Sequence, residues 1–294
     1  MSLFPGFACR RIRTAGATIN VTFGGKGDPV LLLHGYPETH AMWHKVAPQL
    51  ARDYTVVCPD LRGYGDSSKP KGLPDHSNYS KRAMANDMVE VMRALGHERF
   101  HLVGHDRGAR VAYRMALDHP ERVAKLVVLD IVPTGAMWAG ATRVFAVNTF
   151  HWGFLAQAGG MPERLIGLDP DCWLEFACRK WARDFAKLAD AMPEYARAFR
   201  KPAVIAATCA DYRAGATLDD EHDRADLAAG RKIACPMLAF WSGTFIGKGK
   251  SADPLETWRE YAVDVRGSPV ACGHFIPEEA PEPVREPIER FLGE

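Results

Sequence analysis

The residues Val103-Gly104-His105-Asp106-Arg107-Gly108 set a carboxylate between two glycines, where a short apolar run gives way to a helical pattern. A strand that turns sharply into a helix needs glycines around the turn, so that the backbone can close and the side chain at its tip can project. Asp106 at such a tip is a candidate nucleophile. A carboxylate displaces a leaving group at saturated carbon and becomes an alkyl ester, which water must then hydrolyse with the help of a base. Asp is also a good helix N-cap, but capping alone leaves the other chemistry-bearing residues unexplained. His274, behind a glycine and the apolar run 269–272, is the candidate base. A histidine base needs a carboxylate to orient it and to stabilise its imidazolium. Asp130 ends the run 125–129 and would sit beside the strand that carries Asp106. The alternative is Asp253, the nearest carboxylate after the run ending Phe240-Trp241-Ser242-Gly243, because 244–251 contain none. The chain order nucleophile, acid, histidine fits either one.

Arg107 and Arg110 fall at the start of the helix that follows Asp106. Cations there oppose the positive end of the helix dipole, at about 0.3–1 kcal/mol each. An anionic substrate held between them removes that conflict, and arginine grips a carboxylate through two parallel hydrogen bonds. The alternative is that one of them neutralises Asp106 or points to solvent. As a pair they point to an anionic substrate, a small carboxylate whose reacting carbon would be held in line with Asp106. Their charge would also keep Asp106 ionised.

The elements that must position these residues alternate. Runs at 18–23, 30–33, 55–58, 100–103 and 125–129 are short, branched and followed by Gly, Asp or Pro, as buried parallel strands are. Helical patterns lie between them, notably at 80–95 and 109–117. An α/β class with a mostly parallel sheet flanked by helices follows. From 134 to 216 the chain is aromatic and Ala-rich with no convincing strand. Strand-like runs return at 237–241 and 261–265, and a last helix is expected near 283–292. The expected organisation is therefore a core of residues 1–133 and 217–294 interrupted by a helical cap, 134–216, over the carboxyl ends of the strands.

Composition narrows the function classes. The chain has 294 residues, 47% hydrophobic and 25% charged, with a formal net charge of +1 and no basic block, so nucleic acid is a poor partner. Seven cysteines are scattered and never spaced as C-x-x-C, which argues against a disulfide framework or a zinc site. No metal or other cofactor is expected. The N-terminal residues lack the apolar run of a signal peptide and no segment reads as a membrane span, so a cytoplasmic protein is expected.

Five segments carry a family resemblance: His34-Gly35-Tyr36-Pro37-Glu38, the stretch Asp60-Leu61-Arg62-Gly63-Tyr64-Gly65-Asp66-Ser67, Gly104-His105-Asp106-Arg107-Gly108-Ala109-Arg110, His151-Trp152, and Gly273-His274-Phe275. On these, nearly the whole chain resembles the α/β-hydrolases of the haloalkane dehalogenase and epoxide hydrolase group, and most closely the fluoroacetate (haloacetate) dehalogenases. The resemblance implies Asp130 as the acid, and His151, Trp152 and Tyr212 as donors to a departing halide. Imidazole, indole N–H and phenol O–H are all donors, although aromatic residues in a helical cap are more often simply packed. It also implies that the backbone N–H groups of Tyr36 and Arg107 stabilise charge during ester hydrolysis, and that the protein forms a homodimer. The stretch 60–67 is expected to shape a loop, His105 to support the site and His40 to lie at the surface. Hydrolytic dehalogenation is the activity implied. An epoxide hydrolase would share Asp106 and His274 and draw on Tyr195 and Tyr212 to protonate the epoxide, but would leave the arginines without a role. A non-catalytic binding protein for a small carboxylate would need no base.

Overall fold

Apolar strands alternating with amphipathic helices bury both faces of a parallel sheet. The computed structural model, which describes residues 2–243 and 253–294, contains such a sheet. Its strands are β1 (Ala8–Arg13), β2 (Thr18–Gly25), β3 (Asp28–Leu33), β4 (Tyr54–Pro59), β5 (Phe100–His105), β6 (Val123–Leu129), β7 (Met237–Ser242) and β8 (Val265–Val270). Their spatial order is β1-β2-β4-β3-β5-β6-β7-β8. From β4 across to β8 every pairing is parallel, whereas β2 runs antiparallel to β1 and β4. Strands β5 and β7 are buried at every position.

Two edge strands depart from the sequence expectation. β1 had no apolar run to announce it, since only Ile12 of Ala8–Arg13 is buried. The strand expected at 261–265 begins at Val265 instead, and Tyr261 closes the helix Pro254–Tyr261. The apolar signal at 261 belongs to that helix, whose Trp258 packs edge-on against Tyr113. β8 itself pairs only with β7 and contains Gly267 and Pro269, which an edge position tolerates. Gly267 is required there, because a Cβ would fall 1.9 Å from the carbonyl oxygen of Ala239.

The helix Lys81–Ala94 starts at Ser80, whose hydroxyl accepts the Ala83 N–H at 3.2 Å. It packs on the helix Asp106–Asp118, which is buried from Asp106 to Leu117. Between β6 and β7 the chain is helical, from Thr134–Ala139 through to Leu218–Ala228. The turns after β3, β5 and β6 emerge at one end of the sheet and carry Tyr36, Asp106 and Asp130 there. No described helix is long and apolar enough to cross a membrane.

Candidate active site

The turn at Asp106 is tight for reasons visible atom by atom. A Cβ on Gly104 would meet the backbone of Ala109 at 2.6 Å, and one on Gly108 would meet the His34 carbonyl oxygen at 2.3 Å. The helix therefore begins directly at Asp106, whose φ of +42° lies in the left-handed region. Holding a non-glycine residue there costs of order 1–3 kcal/mol, and it projects the carboxylate off the end of β5. The backbone N–H of Tyr36 donates to Asp106 Oδ2 at 3.0 Å. Oδ1 accepts no hydrogen bond among the described residues, so one oxygen is anchored and the other is available. The Arg107 N–H, expected as a second donor, makes no hydrogen bond to this carboxylate.

His274 and Asp130 meet at the same end of the sheet. His274 Nδ1 lies 2.6 Å from Asp130 Oδ2, and Asp130 Oδ1 accepts the Ser242 N–H at 2.6 Å. Asp130 also has a left-handed φ, +57°, which turns its side chain off the end of β6. Asp253 instead caps the helix Pro254–Tyr261, accepting the Leu255 N–H at 2.9 Å. Residues 244–251, considered above for a carboxylate, lie outside the described residues apart from their sequence.

Asp106, Asp130 and His274 line one small cavity of about 10 Å³, room for the centre of a single water-sized sphere. Arg110, His151 and Trp152 complete the set of sequence-predicted residues in its wall, and Ile131, Met137, Thr149 and Trp181 are added to them. Burial pushes the Asp106 carboxyl up, but His274, Arg110, His105 and Arg107 outweigh it and hold the group below the usual aspartate range.

The two arginines prove unequal. Arg107 turns to Asp211, donating from Nε to Oδ2 at 3.0 Å and from Nη2 to Oδ1 at 2.5 Å. Lys81 is paired with the same carboxylate, and Tyr64 Oη donates to it at 2.7 Å. Only Nη1 of Arg107 lacks a partner, and it is buried. The partner is neither Asp106 nor solvent, the two alternatives weighed from the sequence, but Asp211. Among the described residues Arg110 makes hydrogen bonds only to neutral acceptors, the Val132 carbonyl at 3.0 Å and Thr134 Oγ1 at 3.1 Å. Its guanidinium lies 4.5 Å from the centre of the Trp152 ring, a cation–π contact.

The aromatic residues form a continuous wall. His151 stacks on Tyr36 and lies 4.4 Å, ring to ring, from Trp181. Burial drives the His151 imidazole down to about 3, so the ring is neutral and carries a single N–H donor. Trp181 Nε1 and Tyr212 Oη are buried without partners. Tyr212 packs behind the wall, with Arg107 4.2 Å over its ring. Tyr195 does not line the cavity and lies against Glu278 and Glu38. Trp181 had no sequence signal beyond being an aromatic residue in a helical segment. His40, expected at the surface, is largely covered and bonds through Nδ1 to buried Asp60 at 2.8 Å. Asp60 also accepts the N–H groups of His40 and Asp66, which folds the loop 60–67 as expected.

A carboxylate at a sharp strand-to-helix turn, with a histidine–aspartate pair delivered from two later strands, is the arrangement of a hydrolase built on a parallel sheet. The chain belongs to the α/β-hydrolase fold family, whose model matches residues 28–281. It is 46% identical to a fluoroacetate dehalogenase from Burkholderia sp over 99% of this chain and 96% of that protein. It is 33% identical to a soluble epoxide hydrolase from Corynebacterium sp. (strain C12) over 94% of each. Among solved structures, ALR0039 from Nostoc sp PCC 7120 superposes with a TM-score of 0.94 at 53% identity, covering 97% of this chain and 98% of that one.

Proposed function

We propose that the protein hydrolyses the carbon–halogen bond of short 2-haloacids, haloacetates including fluoroacetate, to the 2-hydroxy acid and halide. Residues 134–216 act in this reading as a cap that closes the cavity over the core. Asp106 Oδ1 attacks the α-carbon, the carbon–halogen bond breaks with its electron pair on the halide, and an ester forms on Asp106. His274 then takes a proton from water as that water adds to the ester carbonyl. The hydroxy acid leaves, the Asp106 carboxylate is restored, and one proton is released overall. Asp130 orients His274 and balances its charge. The Tyr36 N–H, already on Oδ2, stabilises the oxyanion that develops there during hydrolysis. Trp152 and His151, with Tyr212 behind them, supply donors toward the departing halide.

The observation that carries this reading is Arg110, a buried guanidinium in the cavity wall whose hydrogen-bond acceptors among the described residues are neutral and which draws on the charge of Asp106. Once Asp106 is an ester that counter-charge is lost, and a carboxylate on the bound substrate would replace it. The 46% identical fluoroacetate dehalogenase supports the same substrate class. An epoxide hydrolase is the second reading, favoured by the 33% identical relative. It is weakened by Tyr195, which lies against two glutamates instead of beside Asp106.

Fluoro-, chloro- and bromoacetate should be assayed for halide release beside a styrene-type epoxide. Halide release is expected from the wild type and a loss of at least about 10³-fold from Asp106→Asn. In His274→Ala the ester is expected to accumulate on Asp106 and to be seen by intact-protein mass spectrometry. Diol formation from the epoxide without halide release would sink the proposal. Tight binding of haloacetate with no turnover would indicate a binding protein.

A further inference from the structure

His105 precedes the nucleophile, is fully buried, and takes no part in the chemistry above. Both of its ring nitrogens face oxygens. Nε2 lies 2.8 Å from the backbone carbonyl oxygen of His274, which can only accept, so Nε2 carries a hydrogen. Nδ1 lies 3.1 Å from Glu38 Oε2. That oxygen also accepts the backbone N–H of Gly35 at 2.9 Å. An ionised Glu38 accepts both contacts, and Nδ1 then donates as well. A histidine ring that donates from both nitrogens is an imidazolium.

We propose that His105 is held as an imidazolium by Glu38 and acts as a positioning residue for His274, fixing its backbone and setting a positive charge beside its ring. The proposal rests on the roles assigned to Asp106 and His274 above. The His105 ring lies 4.6 Å, centre to centre, from the ring of His274. A positive charge there opposes protonation of His274, whereas Asp130 favours it. When Asp106 becomes an ester its negative charge disappears, and the opposition between His105 and Asp130 then sets the proton affinity of the base. His105 donates to the carbonyl of His274 throughout, so the base cannot drift from the ester. The charged and titratable groups around it are Glu38, Asp106 and His274, with Glu278 beyond Glu38. Burial and the neighbouring Glu38 push the Glu278 carboxyl well up. The same surroundings support a charged His105: burial pulls its imidazole down, but Glu38 and Asp106 hold it up at about 9.

Histidine-selective 15N labelling tests the charge directly in substrate-free protein. The resonances lost in His105→Gln identify this ring, and between about pH 7 and 8 both of its nitrogens are expected to be protonated. In Glu38→Gln the ring is expected to lose one proton, which gives a second assignment should His105→Gln fail to fold. A ring nitrogen without a proton in the wild type overturns the proposal, whatever the substrate proves to be. The positioning role is read from ester hydrolysis followed against pH. In Glu38→Gln the acidic limb is expected to move up by about one pH unit, because His274 then protonates more easily. Slower hydrolysis with an unmoved limb in a variant that melts like the wild type would reduce His105 to a structural hydrogen bond and overturn the role.

Discussion

At Asp106 one carboxylate oxygen is anchored by the Tyr36 N–H and the other accepts no hydrogen bond among the described residues, which in the proposed reaction would separate anchoring from attack within a single side chain. Asn keeps the shape and tolerates the left-handed backbone, so Asp106→Asn tests chemistry without testing the fold. His151 permits a different test. Its imidazole titrates near 6.5 in the unfolded chain and is driven to about 3 by burial in the folded one. Between those values the unfolded state binds the proton and the folded state does not. The stability of the neutral buried ring is therefore fully present above about pH 6.5 and declines as pH falls, by roughly 1.4 kcal/mol per pH unit. In His151→Asn the loss of unfolding free energy between about pH 7 and 5 is expected to shrink by about 1–2 kcal/mol, as measured by urea titration. An equal loss in both proteins would place a charged or solvated imidazole at this position.

The elements are tied together by buried charge as much as by apolar packing. Asp211, on the helix Pro202–Gly215, pairs with Arg107 on the helix Asp106–Asp118 and with Lys81 on the helix Lys81–Ala94. Removing the shared anion leaves two buried cations facing each other. Asp211→Ala is expected to lower the free energy of unfolding by about 3–5 kcal/mol in guanidinium titrations. A change of a few tenths would mean that water reaches the cluster. Sequence periodicity identified the helices at this level: the expected 80–95 is the observed Lys81–Ala94. It failed at β1 and β8 because edge strands are half solvated and lack the continuous apolar run that marks a central strand.

Across the whole molecule a net charge of +1 provides little long-range attraction for an anion, so in the proposed reaction recognition falls to the cavity and the cation in its wall. A cavity of about 10 Å³ must widen to admit a haloacetate, which in that reading makes substrate size a sharp variable. An added α-methyl group is worth about 1–3 kcal/mol in such a site. The kcat/KM for 2-chloropropionate is thus expected to be roughly 10- to 200-fold below that for chloroacetate. Met137 lines the cavity where the helical segment covers it, and Met137→Ala should narrow that difference. Equal rates for the two acids in the wild type would show that the cavity opens more widely in solution.

The position of Asp106 at the tip of a strand-to-helix turn was legible from the chain alone because it depends on contiguous residues. A buried run, two glycines and a helical pattern can be joined in few ways, and Asp106 stands at the tip. The sheet class was legible for the same reason, since periodicity is local. The pairing of the partners was not. His274 and Asp130 are 144 residues apart; the residues alone left Asp253 open beside Asp130, which the family resemblance favoured, and in the structure Asp130 meets His274 while the Asp253 carboxylate caps a helix. Arg107 and Asp211 are 104 residues apart, and nothing near Arg107 in the chain announces an anion that occupies two of its nitrogens. Spacing told that two cations stand behind Asp106. Only packing decided that Asp211 neutralises one of them and that Arg110 is left facing the cavity, because charges pair according to which elements the core brings together.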